Sequence, residues 1–104
     1  MQPTANCLYT VYCTLPDATT ARRWVAWLLD EHLDEVRQAG AREATLVQLD
    51  TASLDYEVRY VFPSRAAYDR YAEEYAPTLK AKGIRRFPPD LGLIYRRAVG
   101  EEIS

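Results

Sequence analysis

Hydrophobic and polar residues alternate along two stretches of this chain. After each stretch, apolar residues recur every three or four positions. The first alternating run covers residues 6–15, NCLYTVYCTL, and leads into TTARRWVAWLLDEHLDEVRQAG. The second, DYEVRYVF, leads into PSRAAYDRYAEEYAPTLKAKG and then IRRF. A period of two marks a half-buried strand, and a period near 3.6 marks a helix with one apolar stripe. After a polar lead-in over residues 1–5, strand 1 is expected over 6–15 and ends at Pro16-Asp17. Thr19 or Thr20 is expected to cap the first helix through its hydroxyl. The stripe of that helix reads Ala21, Val25, Leu28, Leu29, His32, Leu33 and Val36, with Trp24 and Trp27 off its centre. Gly40 stands where a left-handed cap is wanted.

Strand 2 is expected over 44–49, a turn over 50–53 and strand 3 over 56–62. Ser64 caps the second helix, whose stripe is Tyr68, Tyr71, Ala72, Tyr75 and Leu79. Pro77 kinks that helix or starts a fresh turn, since it cannot donate to the ladder. Gly83 ends it, strand 4 follows over 91–98, and the tail GEEIS frays. Two right-handed βαβ crossovers joined by a hairpin give an α+β, βαββαβ fold: a four-stranded antiparallel sheet with two helices on one face. The other face is bare within a single chain. Parity places Leu8, Tyr12, Leu46, Gln48, Val61 and Ile94 there, with Glu57, Arg59 and Arg96 among them. That mixture suits neither open water nor a plain core, because unpaired buried charges cost several kcal/mol. A homodimer pairing two sheets face to face is the expected resolution.

The chain has 104 residues, which fits one domain with a core over about 6–98. Its net charge is −2, too balanced to point to nucleic acid or an anionic membrane as partner. No apolar run approaches the roughly 20 residues of a membrane span. MQPTANCLYT has neither the basic flank nor the apolar centre of a signal peptide, so a cytoplasmic protein is expected. Cys7 and Cys13 share one strand face about 20 Å apart, too far to bridge within that strand, and read as buried thiols. One histidine, no Cys/His cluster and no Gly-rich phosphate loop leave no metal or cofactor expected.

The spacing Trp24–Trp27-Leu28–His32, the following Gly40, Tyr56-Glu57-Val58-Arg59-Tyr60, Ser64–Tyr68–Tyr71, Ala76-Pro77–Leu79 and Arg86-Phe87 resemble an uncharacterised bacterial family. That family is catalogued as a domain of unknown function, and the resemblance runs over residues 8–97. Its members often carry Gln where this chain has Arg59, and Phe-Arg where it has Tyr95-Arg96. The resemblance implies a dimeric α/β barrel of ferredoxin-like topology. That group includes cofactor-independent monooxygenases, isomerases, haem-handling proteins and amino-acid-sensing domains, and fold alone does not choose among them.

Two readings of function stand side by side. In the first, a homodimer binds a small metabolite in a cleft between sheet and partner, as a monooxygenase-like or isomerase-like enzyme. Arg59, Arg96, Gln48 and Glu57 orient the ligand, Tyr12 hydrogen-bonds it and His32 moves a proton. In the second, a non-enzymatic interaction module uses the whole face for dimerisation, with Arg59 paired to Glu57 or to an acid of the partner chain and His32 simply packed.

Overall fold

The computed structural model describes residues 5–104, so the lead-in expected over 1–5 lies outside the described residues save for Ala5. The elements run β1 (Cys7–Leu15), α1 (Ala18–Trp27), a π-helical turn (Leu28–His32), α2 (Leu33–Gln38), β2 (Glu43–Gln48) and β3 (Leu54–Phe62). There follow α3 (Arg65–Glu74), α4 (Ala76–Arg86), a short 3-10 turn (Pro89–Leu91) and β4 (Ile94–Glu101). The sheet order is β2-β3-β1-β4, and every neighbouring pair is antiparallel. This is the ferredoxin-like βαββαβ arrangement, with the helices on one side of the sheet. The shortest dimension is 20 Å, the depth of one helical layer on one sheet.

Local chemistry explains where the elements begin and end. The Asp17 carboxylate, rather than Thr19 or Thr20, caps α1 by accepting from the Thr20 N–H at 2.7 Å. A carboxylate is the stronger acceptor, and Asp17 stands where the chain is still extended. Ser64 caps α3 as expected, accepting from the Ala67 N–H at 3.0 Å. Gly40 has φ +126°, a conformation other residues rarely take. The second helical region breaks at Tyr75, and a fresh helix starts with Pro77 in its first turn, where no N–H is needed. That break turns Tyr75 outward, so it leaves the buried stripe.

Gly83 does not end the helix; α4 continues to Arg86. A Cβ at Gly83 would stand 3.3 Å from the Trp27 ring, so the glycine lets α4 approach α1. Strand β4 sits later than expected because residues 89–91 wind into the 3-10 turn. The tail is therefore paired rather than frayed up to Glu101, and the Glu102 N–H donates to the Asn6 carbonyl at 2.8 Å.

On the first helix the two tryptophans are buried, while Leu29 is 59% exposed. Two stripes of equal regularity compete there, and the one carrying both indoles removes more apolar area from water. The π turn widens the helix by one residue: the Leu33 N–H donates to the Leu28 carbonyl, five residues back. Leu28, Leu33 and Val36 consequently stay buried on either side of it.

The helix-facing residues of β1 (Cys7, Tyr9, Val11, Cys13, Leu15) and of β3 (Tyr56, Val58, Tyr60, Phe62) are all buried, as their parity predicts. On β2 the register reverses the expectation. Leu46 lies opposite Val58 and Gln48 opposite Tyr56, so both belong to the helix-covered side. Thr45 and Val47 take the open side instead. As an edge strand, β2 is only half covered, and its two parities carry similar apolar content. Hydrophobicity alone does not decide between them.

Candidate functional site

A cleft opens among the aromatic helix-facing residues of the buried core. It holds about 270 Å³ between the sheet, the first helix and α4. The sheet contributes Tyr9, Val11, Val58, Tyr60, Tyr95 and Arg97 to its floor. Trp24, Trp27, Leu28 and His32 come from the first helix, Tyr71 from α3, and Lys80, Gly83 and Ile84 from α4. Ile84 is 57% exposed, which puts it at the mouth. The widened turn ends at His32, a local distortion that recurs at functional sites.

Ring contacts set the shape of the cleft. The imidazole of His32 stacks on the Trp27 indole, centroids 4.5 Å apart and planes 19° apart, and meets the Tyr60 ring edge-on at 6.5 Å. Tyr9 stacks on Tyr60 at 5.7 Å and leans on Tyr71 at 6.1 Å. Trp27 packs against Phe87 at 5.6 Å and Trp24 against Tyr56 at 5.5 Å. Such pairs are worth about 0.5–1.5 kcal/mol each beyond the area they bury. They hold the walls in place, with polar tips among the lining groups.

Those tips are mostly donors. Arg97 Nε donates to the Tyr9 hydroxyl at 3.1 Å, and Trp24 Nε1 donates to the Tyr95 hydroxyl at 3.2 Å. Burial raises the pKa of the Tyr60 and Tyr71 phenols and pushes Tyr95 up to about 12, so all three stay protonated at neutral pH. Burial also holds the His32 imidazole below its usual range; Glu35 pulls it back up and Lys82 opposes that. Near neutrality His32 is therefore uncharged and able to accept a proton. Its Nδ1 is buried without a hydrogen-bond partner among the described residues, as is Glu35 Oε1 one turn later. The second oxygen of Glu35 accepts from the Lys82 ammonium on α4. Burial pushes the Cys13 thiol up to about 12 and raises Cys7, so both remain neutral, apolar fillers. Among the described residues, no group of three or more His, Cys, Asp or Glu converges as metal ligands.

The open face carries the other residues singled out from the sequence. Tyr12 lies between Glu57 on β3 and Arg96 on β4, and Thr10 lies beside Arg59. The Arg96 guanidinium sits 4.2 Å over the Tyr12 ring. Arg59 donates to the largely buried Glu57 carboxylate at 3.2 Å, the internal pair the second reading anticipated. A shallow hollow of about 480 Å³ includes Tyr12, Thr14, Asp55, Ile94 and Arg96. Gln48 is absent from this face and lines a groove beside α1 with Leu46 and Tyr56. His32 is on the far side of the sheet from Tyr12, Arg59 and Arg96, so the six residues do not form one site. Arg97, not Arg96, is the arginine that lines the cleft. Arg97 shares the parity of Tyr95, and a cation on the helix-facing side of a strand was the available signal.

Comparison with solved structures bears on the fold. One similar structure is described as a dimeric ferredoxin-like protein from an uncultured marine organism. It superposes with a TM-score of 0.69 at 6% identity, over 96% of this chain and 97% of that one. SnoaB, a cofactor-independent oxygenase from Streptomyces nogalater, gives 0.70 at 13% identity, over 97% and 96%. An ethyl tert-butyl ether D (EthD) family protein from Bacillus halodurans gives 0.67 at 11%, over 96% and 100%. Identities this low speak for the fold alone. No curated protein matches the chain significantly. No helix among the described residues is long and apolar enough to cross a membrane. The family described as "Domain of unknown function (DUF4286)" matches residues 6–97, nearly the whole length, and the chain belongs to that family.

Proposed function

We propose that this protein is a homodimer that binds a small organic molecule in the cleft between its sheet and its helices, with His32 as the proton acceptor. The observation that carries the reading is a roughly 270 Å³ ring-walled cleft whose lining includes the chain's one imidazole, His32, held uncharged by burial. The reaction class is proton abstraction without a cofactor. A C–H or O–H of the ligand gives its proton to a nitrogen of His32, and the electron pair stays on the ligand. Isomerase-like turnover returns the proton to another atom; monooxygenase-like turnover passes the electron-rich ligand on to dioxygen. Two similar structures lend support, one described as dimeric and one as a cofactor-independent oxygenase.

The open sheet face is the proposed dimer surface, and the cleft lies behind it. Pairing through that face therefore does not consume the binding site. The alternative, a purely structural dimer, draws on a different observation: Arg59 with Glu57 and Arg96 with Tyr12 already satisfy one another on the open face. Sedimentation at micromolar concentration together with thermal-shift screening of a metabolite panel separates the readings. The proposal expects a dimer mass and at least one ligand whose stabilising effect disappears in His32→Ala. A dimer indifferent to every ligand class favours the structural reading, and a monomer contradicts both.

A further inference from the structure

We infer that the ligand of this cleft is a flat aromatic acid, a mono- or bicyclic ring bearing an anionic oxygen. This deepens the proposal above and rests on the cleft being the binding site. The chemical accounting is one-sided. No Asp or Glu lines the cleft, while Lys80 and Arg97 both do. Neither cation has a carboxylate partner among the described residues. The Tyr9 oxygen accepts from Arg97, which leaves its own proton free to donate. The Tyr60 and Tyr71 hydroxyls make no hydrogen bond among the described residues. Tyr95 likewise accepts from Trp24, so four phenols and two cations line the cleft with no carboxylate among them. An anionic oxygen is what such a set can satisfy, whereas a ligand ammonium would meet like charge and unpaired donors.

The apolar walls supply the second half of the specification. Trp24, Trp27, Tyr9, Tyr60, Tyr71 and Phe87 line the cleft with aromatic rings, and its volume is just below the usual range of small-molecule pockets. An aliphatic acid would satisfy the donors and leave the rings unstacked.

Calorimetric titration with naphthoate, naphthylmethylamine, naphthalenemethanol and cyclohexanecarboxylate tests this, with the indole N–H signals of Trp24 and Trp27 as the marker of site. Both tryptophans of the chain line the cleft. Naphthoate is expected to bind about tenfold tighter than the amine and the cyclohexane acid. Lys80→Met and Arg97→Gln should each weaken naphthoate about three- to tenfold and leave the neutral alcohol within about twofold. Lys80 is at the surface, so its substitution leaves folding intact. Equal binding of the amine, equal binding of the cyclohexane acid, or indifference to both substitutions overturns the inference while leaving a ligand cleft standing. No heat and no indole shift with any ring probe overturns the cleft reading itself.

Discussion

His32 lies flat on the Trp27 ring with its imidazole withdrawn from water, and its ionisation is the most direct readout of the site at the residue scale. Its folded pKa should fall below the reference 6.5 in an NMR titration. Glu35→Gln should lower it further, because that carboxylate favours the imidazolium; Lys82→Met should raise it. The sign for stability follows. The unfolded chain binds the proton more readily, so the His32 contribution is complete above pH 6.5 and declines as pH falls from there to the folded pKa. A His32→Gln variant should lack that part of the pH dependence in denaturant melts; an unchanged profile would contradict the burial argument. The thiols give a second check. Cys13, with its pKa pushed up to about 12, and Cys7 should resist a thiol-selective reagent at mildly alkaline pH until the protein is unfolded.

At the scale of elements, helix ends and helix contacts carry the predictions. Ser64→Ala removes the acceptor for the Ala67 N–H and should cost about 1 kcal/mol, about 4–8 °C in melting temperature. Gly83→Ala puts a methyl group against Trp27 and should press that ring into the cleft. Ligand affinity should drop several-fold while the melting temperature moves little, since alanine also favours the helix. Equal affinity would place the ligand elsewhere. Most of this layer was legible in the sequence. The alternation in β1 and β3, the Ser64 cap, Gly40 and the restart near Pro77 are local signals, and each has a local cause. The misses need partners that the sequence does not display. The face of Leu46 and Gln48 depends on register with β3, and the burial of Trp24 over Leu29 depends on which stripe buries more area. The π turn that ends at His32 has no composition signature.

At the scale of the whole molecule, one sheet separates two surfaces that the sequence had merged into a single site. The helical side holds the cleft. The open side presents Leu8 opposite Val61 and Gly100, with the Arg96–Tyr12 and Arg59–Glu57 pairs on the same face. Leu8→Glu, beside Val61 on that open face, should turn the proposed dimer into a monomer in sedimentation without changing the circular dichroism spectrum. A mass unaffected by this substitution would remove the open face as the dimer surface. The proposed function requires the ligand to enter behind the sheet. Titrating naphthoate into isotopically labelled protein and mapping the perturbed resonances tests that most directly. The indole signals of Trp24 and Trp27 and the ring of His32 are predicted to move first and furthest. Perturbations centred on Tyr12, Arg59 and Arg96, with the tryptophans silent, would contradict it.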